Sequence, residues 1–306
     1  MTFLLVRGRA FPLVEAFCVC CAVLMLAMPL PATAATLEKV AQLGAITLGY
    51  RESSPPFSYL DAIQRPIGYS IDICMKVVEA VKRELKRPDI VVRFVPVTSA
   101  SRMPALIGGD IDLECGSTTS SAERRRQVAF TVPTFVAVTR LMVREGSGIN
   151  SVFDLVGKSV VTTKGASSEK LFRELNQERT LRASLVLAKE HGEAFSILEA
   201  GSADAFIMDD VLLYSFRAAA RDPKQFVITR DTLTIEPLAL MLRKDDPAFK
   251  RVVDGAVSHV ISHDEIYAIY KKWFESPIPP RQVNLKLPMG YLLRDSFKVP
   301  TDWLPN

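Results

Sequence analysis

The sequence predicts an α/β fold in two lobes, each a mostly parallel sheet flanked by helices, joined by two hinge strands. Three observations carry this. Short apolar runs alternate with amphipathic helical segments, the signature of βαβ units. The alternation occurs in two blocks. Two long apolar stretches, Phe135 to Val143 and Leu233 to Leu242, fit a chain that crosses to the second block and then returns. The first lobe is therefore discontinuous, 35–136 plus 237–306, and the second is 137–236.

Composition agrees with a globular protein. The 306 residues are 48% hydrophobic, 24% charged and 8% aromatic. That excludes a disordered polymer, a collagen-like rod and a polytopic membrane protein. The length allows about two domains. A net charge of +4 is too small to imply nucleic acid, because the basic residues form only one short run, Arg124-Arg125-Arg126.

Residues 1–34 read as a secretory signal peptide. Arg7 and Arg9 give a basic start, Ala16 to Ala35 carries no charge, and Ala32-Thr33-Ala34 supplies a small-x-small site. Cleavage is expected before Ala35, giving an exported mature chain. The apolar run is short for a bilayer span, which needs roughly 20 residues. Cys18, Cys20 and Cys21 leave with this segment. Cys74 and Cys115 remain; one lies in an expected helix and the other at a strand end, so free thiols are expected.

The elements follow in order. Ala45 to Tyr50 reads as a buried strand. Ile71, Cys74, Met75, Val78, Val81 and Leu85 recur at helical spacing. Ile90 to Val95 is a strand, Met103 to Ile107 a helix stopped by Gly108-Gly109, and Ile111 to Leu113 a strand. The second block gives strands at Ser159 to Thr162, Ser184 to Leu187 and Ala205 to Met208. Helices from about Ser168 to Leu175 and Glu193 to Glu199 separate them. Two helices, about Pro247 to Ile261 and Asp264 to Phe274, follow the return. The Pro-rich stretch after Ser276 is expected to be irregular.

Open α/β sheets bind ligands beyond the carboxyl ends of their strands. Those positions hold Arg51 and Ser53 after the first strand, and Thr98, Ser99 and Arg102 after the second. The third is followed by Glu114, Ser117, Thr118, Thr119 and Arg124. In the second block they hold Thr163, Ser167, His191, Asp209 and Asp210. Arginine forks match carboxylates, and an acid suits an ammonium. Ser120 with Glu123 has capping-box spacing, and a helix start favours an anion. Three arginines less one aspartate give +2, which suits a small amphoteric ligand with two carboxylates. Taken singly, each residue has a duller reading: Thr118 and Ser121 as turn or cap residues, Asp209-Asp210 as a cap plus a surface charge.

Several stretches carry a family resemblance: Gly49-Tyr50-Arg51-Glu52-Ser53-Ser54, Pro56-Phe57-Ser58-Tyr59 and Gly68-Tyr69-Ser70-Ile71-Asp72. They continue with Thr98-Ser99-Ala100-Ser101-Arg102-Met103-Pro104, Glu114-Cys115-Gly116-Ser117-Thr118-Thr119, Glu190-His191-Gly192 and Phe206-Ile207-Met208-Asp209-Asp210. Leu242-Arg243-Lys244-Asp245-Asp246-Pro247 and Lys272-Trp273-Phe274 complete the set. The chain from about Leu37 to Pro280 resembles the periplasmic solute-binding proteins of bacterial ABC transporters. The likeness is to the polar amino-acid-binding family, family 3, and most closely its glutamate/aspartate-binding branch.

The resemblance implies a type II periplasmic binding protein fold, with ligand trapped between the lobes. It implies that Arg124, Ser117 and Thr119 hold the ligand's α-carboxylate and Asp209 its α-ammonium. Arg51 and Arg102, with Ser99 and His191, would surround a side-chain carboxylate, and Ser167 would add a contact. Ser70 departs from the family's usual acid, and Asp264 stands where glycine is common. Neither belongs to the expected ligand shell. The expected partners are glutamate or aspartate and the ABC permease subunits of the inner membrane. The chain is expected to be monomeric, without cofactor or metal, and not an enzyme.

One rival is a periplasmic enzyme on this fold, a cyclic dicarboxylate dehydratase with His191 as acid or base. A second is a metal protein using His259 and His263, spaced i, i+4 but without the glutamate of a His-Glu-x-x-His site. A third is a sensory domain acting with a separate partner chain.

Overall fold

The structure, a computed structural model, describes Thr2 and residues 36–301. The expected signal peptide, its cleavage site and Cys18, Cys20 and Cys21 lie outside the described residues. Among the described residues no helix is long and apolar enough to cross a membrane.

Two sheets form the frame. In the first, Val91–Pro96, Ala45–Tyr50 and Leu113–Glu114 run parallel, followed by Met241–Arg243 and Val128–Phe130. Met241–Arg243 is antiparallel to both its neighbours, because it belongs to the returning chain. In the second, Ser184–Ala188, Ser159–Thr163 and Ala205–Asp209 run parallel, and Phe135–Arg144 pairs antiparallel beside them. Phe226–Ile228 and Thr234–Leu238 both pair with Phe135–Arg144. Each sheet is thus mixed, with a parallel core of three strands.

Period-two alternation explains why both faces of the second sheet are covered. Leu141, Val143, Val160, Ala205 and Ile207 enter one apolar cluster. Their neighbours Met142, Val161, Phe206 and Met208 enter another on the opposite face. The helices Ser167–Glu178 and His191–Glu199 contribute Phe172 to the first cluster and Ala194, Phe195 and Leu198 to the second.

The two long apolar stretches cross between the sheets as an antiparallel ribbon, with Phe135 opposite Leu238 and Thr139 opposite Thr234. An aromatic cluster anchors its start. Phe135 stacks on Phe274 with ring centroids 4.9 Å apart and meets Phe57 edge-on at 5.0 Å. The Tyr69 hydroxyl donates to the Thr134 carbonyl at 2.8 Å.

Three expectations need correction. Cys74 and Cys115 are joined by a disulfide, with Cα atoms 6.2 Å apart. The helix Tyr69–Leu85 lies across the end of the Leu113–Glu114 strand, so a helix residue and a strand-end residue do meet. The segment after Ser276 is not wholly irregular. Pro277–Ile278 pairs with Val283–Asn284, and Tyr291–Ser296 is helical. Met289, Leu293 and Phe297, spaced by four, bury one face of that turn. Ser121, not Ser120, caps the helix Ala122–Arg125, accepting from the Arg124 N–H at 3.3 Å. Asp264 adopts φ 60°, a conformation that glycine takes without steric cost.

Candidate functional site

The carboxyl ends of the strands bring the expected residues together. Arg51 follows Ala45–Tyr50, and its side chain is fully buried. Ser99 follows Val91–Pro96, and Arg102 opens the helix Arg102–Gly108. Ser117 and Thr119 lie on the loop after Leu113–Glu114. On the second sheet, Ser167 and His191 each open a helix, and Asp209 ends the strand Ala205–Asp209. The Asp209 side chain caps no helix, so the cap reading does not hold for it.

The two walls touch at several points. The Thr119 and Ser167 hydroxyls lie 3.2 Å apart. Arg124 donates to the Thr119 carbonyl at 3.1 Å and across the cleft to the Gly165 carbonyl at 3.2 Å. Of the arginine run, Arg124 points into the cleft, Arg125 turns back to the Ser120 carbonyl at 2.7 Å, and Arg126 is exposed. Gly192 donates its N–H to Ser53 Oγ at 3.0 Å. A Cβ on Gly165 would lie 2.7 Å from Ala100 Cα, so the backbones meet where only glycine fits.

Beneath the arginines lies a buried carboxylate. Arg102 Nη1 donates to Thr118 Oγ1 at 2.6 Å, and Thr118 donates to Glu114 Oε2 at 2.6 Å. Thr118 is therefore a bridge between opposite charges. Ser70, outside the expected ligand shell, donates to the Gly116 carbonyl at 2.7 Å and props the same loop. Arg51 Nη2 donates to Glu190 Oε2 at 2.8 Å from the opposite wall.

These contacts revise the charge count. Arg51, Arg102 and Arg124 face Glu114, Glu190 and Asp209, so with all six groups ionised the +2 read from the sequence becomes zero before Glu236 is counted. Glu114, which ends the strand Leu113–Glu114, was among the strand-end residues read from the sequence but was left out of that charge count. Glu190 sits in the Glu190-His191-Gly192 motif, and only the cross-cleft pair reveals its use. Glu236 is buried on the returning strand; the sequence shows it only as a charge that, with Pro237, interrupts the apolar stretch Leu233 to Leu242.

The electrostatics favour an anion on one side and a cation on the other. Burial, reinforced by Arg124 and then Arg51, lowers Arg102 to about 9, while Glu114 and Asp209 oppose the shift. Its guanidinium stays charged at neutral pH. Burial also lowers Arg124, against the pull of Glu236, Glu114 and Asp209. Burial, with Glu236 and Asp210, raises Asp209 well above the usual carboxylate range. Burial, with Arg51 and Arg102, holds His191 well below the ordinary histidine value. Several buried polar atoms find no protein partner: Arg51 Nε and Nη1, Arg102 Nε, Ser99 Oγ, Ser117 Oγ and Asp209 Oδ1. Buried polar groups without partners are costly, and a small ligand with carboxylates and an ammonium would satisfy this set.

No group of three His, Cys, Asp or Glu able to hold a metal occurs among the described residues. His259 and His263 pack ring against ring at 3.9 Å, both exposed, away from the cleft.

Comparison with known proteins adds to this geometry. Residues 46–276 match the family described as bacterial extracellular solute-binding proteins, family 3. An L-glutamate/L-aspartate-binding protein of Pseudomonas aeruginosa is 46% identical over 268 residues, covering 87% of this chain and 89% of that protein. A glutamate/aspartate import solute-binding protein of Escherichia coli is 43% identical, covering 89% and 90%. Among solved structures, an ancestral arginine-binding protein bound to arginine superposes with a TM-score of 0.69 at 25% identity, covering 76% of this chain and 98% of that one.

Proposed function

This chain belongs to the bacterial extracellular solute-binding proteins of family 3, and from that premise we propose that it captures glutamate or aspartate between its lobes for import. The observation that carries this reading is the set of Arg51 and Arg102, both buried, with the half-buried Arg124, opposite Asp209, all at strand ends or helix starts facing one cleft. Both relatives above are named for binding glutamate and aspartate, which supports it. It also favours a carrier over the dehydratase reading.

Arg124, Ser117 and Thr119 hold the α-carboxylate, and Asp209 holds the α-ammonium. Raised by burial, Asp209 gains most as an anion when a cation arrives beside it. Arg51 and Arg102, with Ser99 and His191, take the side-chain carboxylate. Ser167 contributes from the second lobe. The lobe boundaries fall at the ribbon, near residues 136 and 237, and closure about it removes water from the charged hydrogen bonds. The exported carrier, its signal peptide removed before Ala35, delivers its ligand as a monomer to an ABC permease. An amino acid of about ten heavy atoms reaches micromolar affinity, about −8 kcal/mol, within the efficiency of small ligands.

The experiment is calorimetric titration of the chain from Ala35 onward, after unfolding and refolding to remove carried ligand. Glutamate and aspartate bind tightly and one-to-one, and glutamine and asparagine far more weakly. Turnover of a cyclic dicarboxylate, or silence toward every amino acid, overturns the reading.

A further inference from the structure

Glu190 has no place in the binding roles above, yet its carboxylate holds a wholly buried arginine from the other lobe. Glu190 stands immediately before the helix His191–Glu199, where an acid often caps the first turn, but its side chain makes no capping bond. Its Oε2 instead reaches Arg51 Nη2 at 2.8 Å. The junction is fixed two residues further on along both segments by the Gly192 N–H to Ser53 Oγ bond of 3.0 Å. A Cβ on Gly192 would come within 2.5 Å of that same oxygen, so the two segments meet as closely as their side chains allow.

We propose that Glu190 sets how strictly the cleft demands an anionic side chain, by giving Arg51 a carboxylate that is present whatever the ligand. This rests on the reading that Arg51 faces the ligand's side-chain carboxylate. A buried guanidinium needs a negative partner. With Glu190 in place, Arg51 has one even when the ligand is glutamine. When the ligand is glutamate, its carboxylate becomes the second anion on one guanidinium, and the two anions repel. Both effects narrow the gap between acid and amide. Removing the charge at Glu190 widens that gap, because only an anionic ligand then neutralises Arg51.

The test compares glutamate and glutamine affinities by displacement titration in the native protein, Glu190→Gln, Glu190→Asp and Arg51→Met. Two like charges about 6 Å apart near a protein surface interact strongly enough to shift the ratio on the order of tenfold or more. Glu190→Gln therefore raises the glutamate-to-glutamine affinity ratio by that amount, and Glu190→Asp returns it toward the native value. Because each ratio is taken within one variant, a smaller folded fraction affects both ligands alike. Equal loss of both affinities in Glu190→Gln, or a falling ratio, overturns the proposal; if Arg51→Met still abolishes the acid preference, the Arg51 reading stands without it. If Arg51→Met also leaves the ratio intact, the Arg51 reading falls and the Glu190 proposal falls with it.

Discussion

His191 Nδ1 lies 2.6 Å from the Thr163 hydroxyl, which ties the imidazole to the end of the strand beside it. The ring is buried, with Arg51 and Arg102 close enough to disfavour its charged form. The closed cleft therefore holds a neutral histidine.

This gives a pH dependence with a definite sign. Opening would carry Arg51 and Arg102 away from the ring and let water in, so its value would rise toward the ordinary 6.5. Closure lowers that value, so closing at lower pH must expel the proton. Ligand affinity is level above pH 6.5 and falls as pH drops below it. His191→Gln, which keeps a polar side chain without the titration, flattens the profile. Calorimetry between pH 5 and pH 8 measures this.

The arginines separate into two classes. Arg51→Met or Arg102→Met loses acidic ligands selectively and spares the amides. Arg124→Met and Asp209→Asn weaken every amino acid, because they act on the groups all of them share. Losing one partner of a buried, hydrogen-bonded charge pair costs about 2–5 kcal/mol, thirtyfold or more in affinity. An unchanged glutamate affinity in Arg51→Met contradicts the side-chain assignment.

Gly165→Ala tests the closed geometry. The new methyl meets the Ala100 Cα at 2.7 Å and its N at 2.8 Å, both backbone atoms of the opposite wall. It also forces alanine to φ +81°, at a cost of about 1–2 kcal/mol. Affinity for all amino acids falls at least about tenfold, since only 1.4 kcal/mol of obstruction is needed. Scattering from the ligand-saturated variant shows a more open particle than the native protein.

The disulfide links residues 41 apart in sequence. A loop of that length restricts the unfolded chain by about 4 kcal/mol in the chain-entropy model. Cys74→Ala with Cys115→Ala, or reduction, lowers unfolding free energy by roughly 2–4 kcal/mol. Denaturant titration against the oxidised protein measures the loss. Cys115 precedes the Gly116 to Thr119 loop, so the pair also steadies one wall of the site.

Much of the fold was legible because burial leaves a periodic trace. Ala45–Tyr50 matches its expected limits, and Ser159–Thr163, Ser184–Ala188 and Ala205–Asp209 each extend only one residue further. The short strands Ser53–Ser54, Ser58–Leu60 and Pro66–Ile67 were missed, since two or three residues cannot display a period. The helix Asp210–Ala219 was also missed, its start taken for a cap and a surface charge.

For the site, sequence alone determined which side chains stand after each strand, because strand ends and helix starts are local features. Arg51, Ser99, Arg102, Ser117, Thr119, Arg124, Ser167, His191 and Asp209 all follow from that rule and from the family resemblance. Tertiary structure decided the rest. It joined Cys74 to Cys115, set Thr118 between Arg102 and Glu114, and brought Glu190 to Arg51 across 139 residues of chain. A pairing between distant residues depends on how two lobes meet, and no local pattern of apolar and polar residues encodes that meeting.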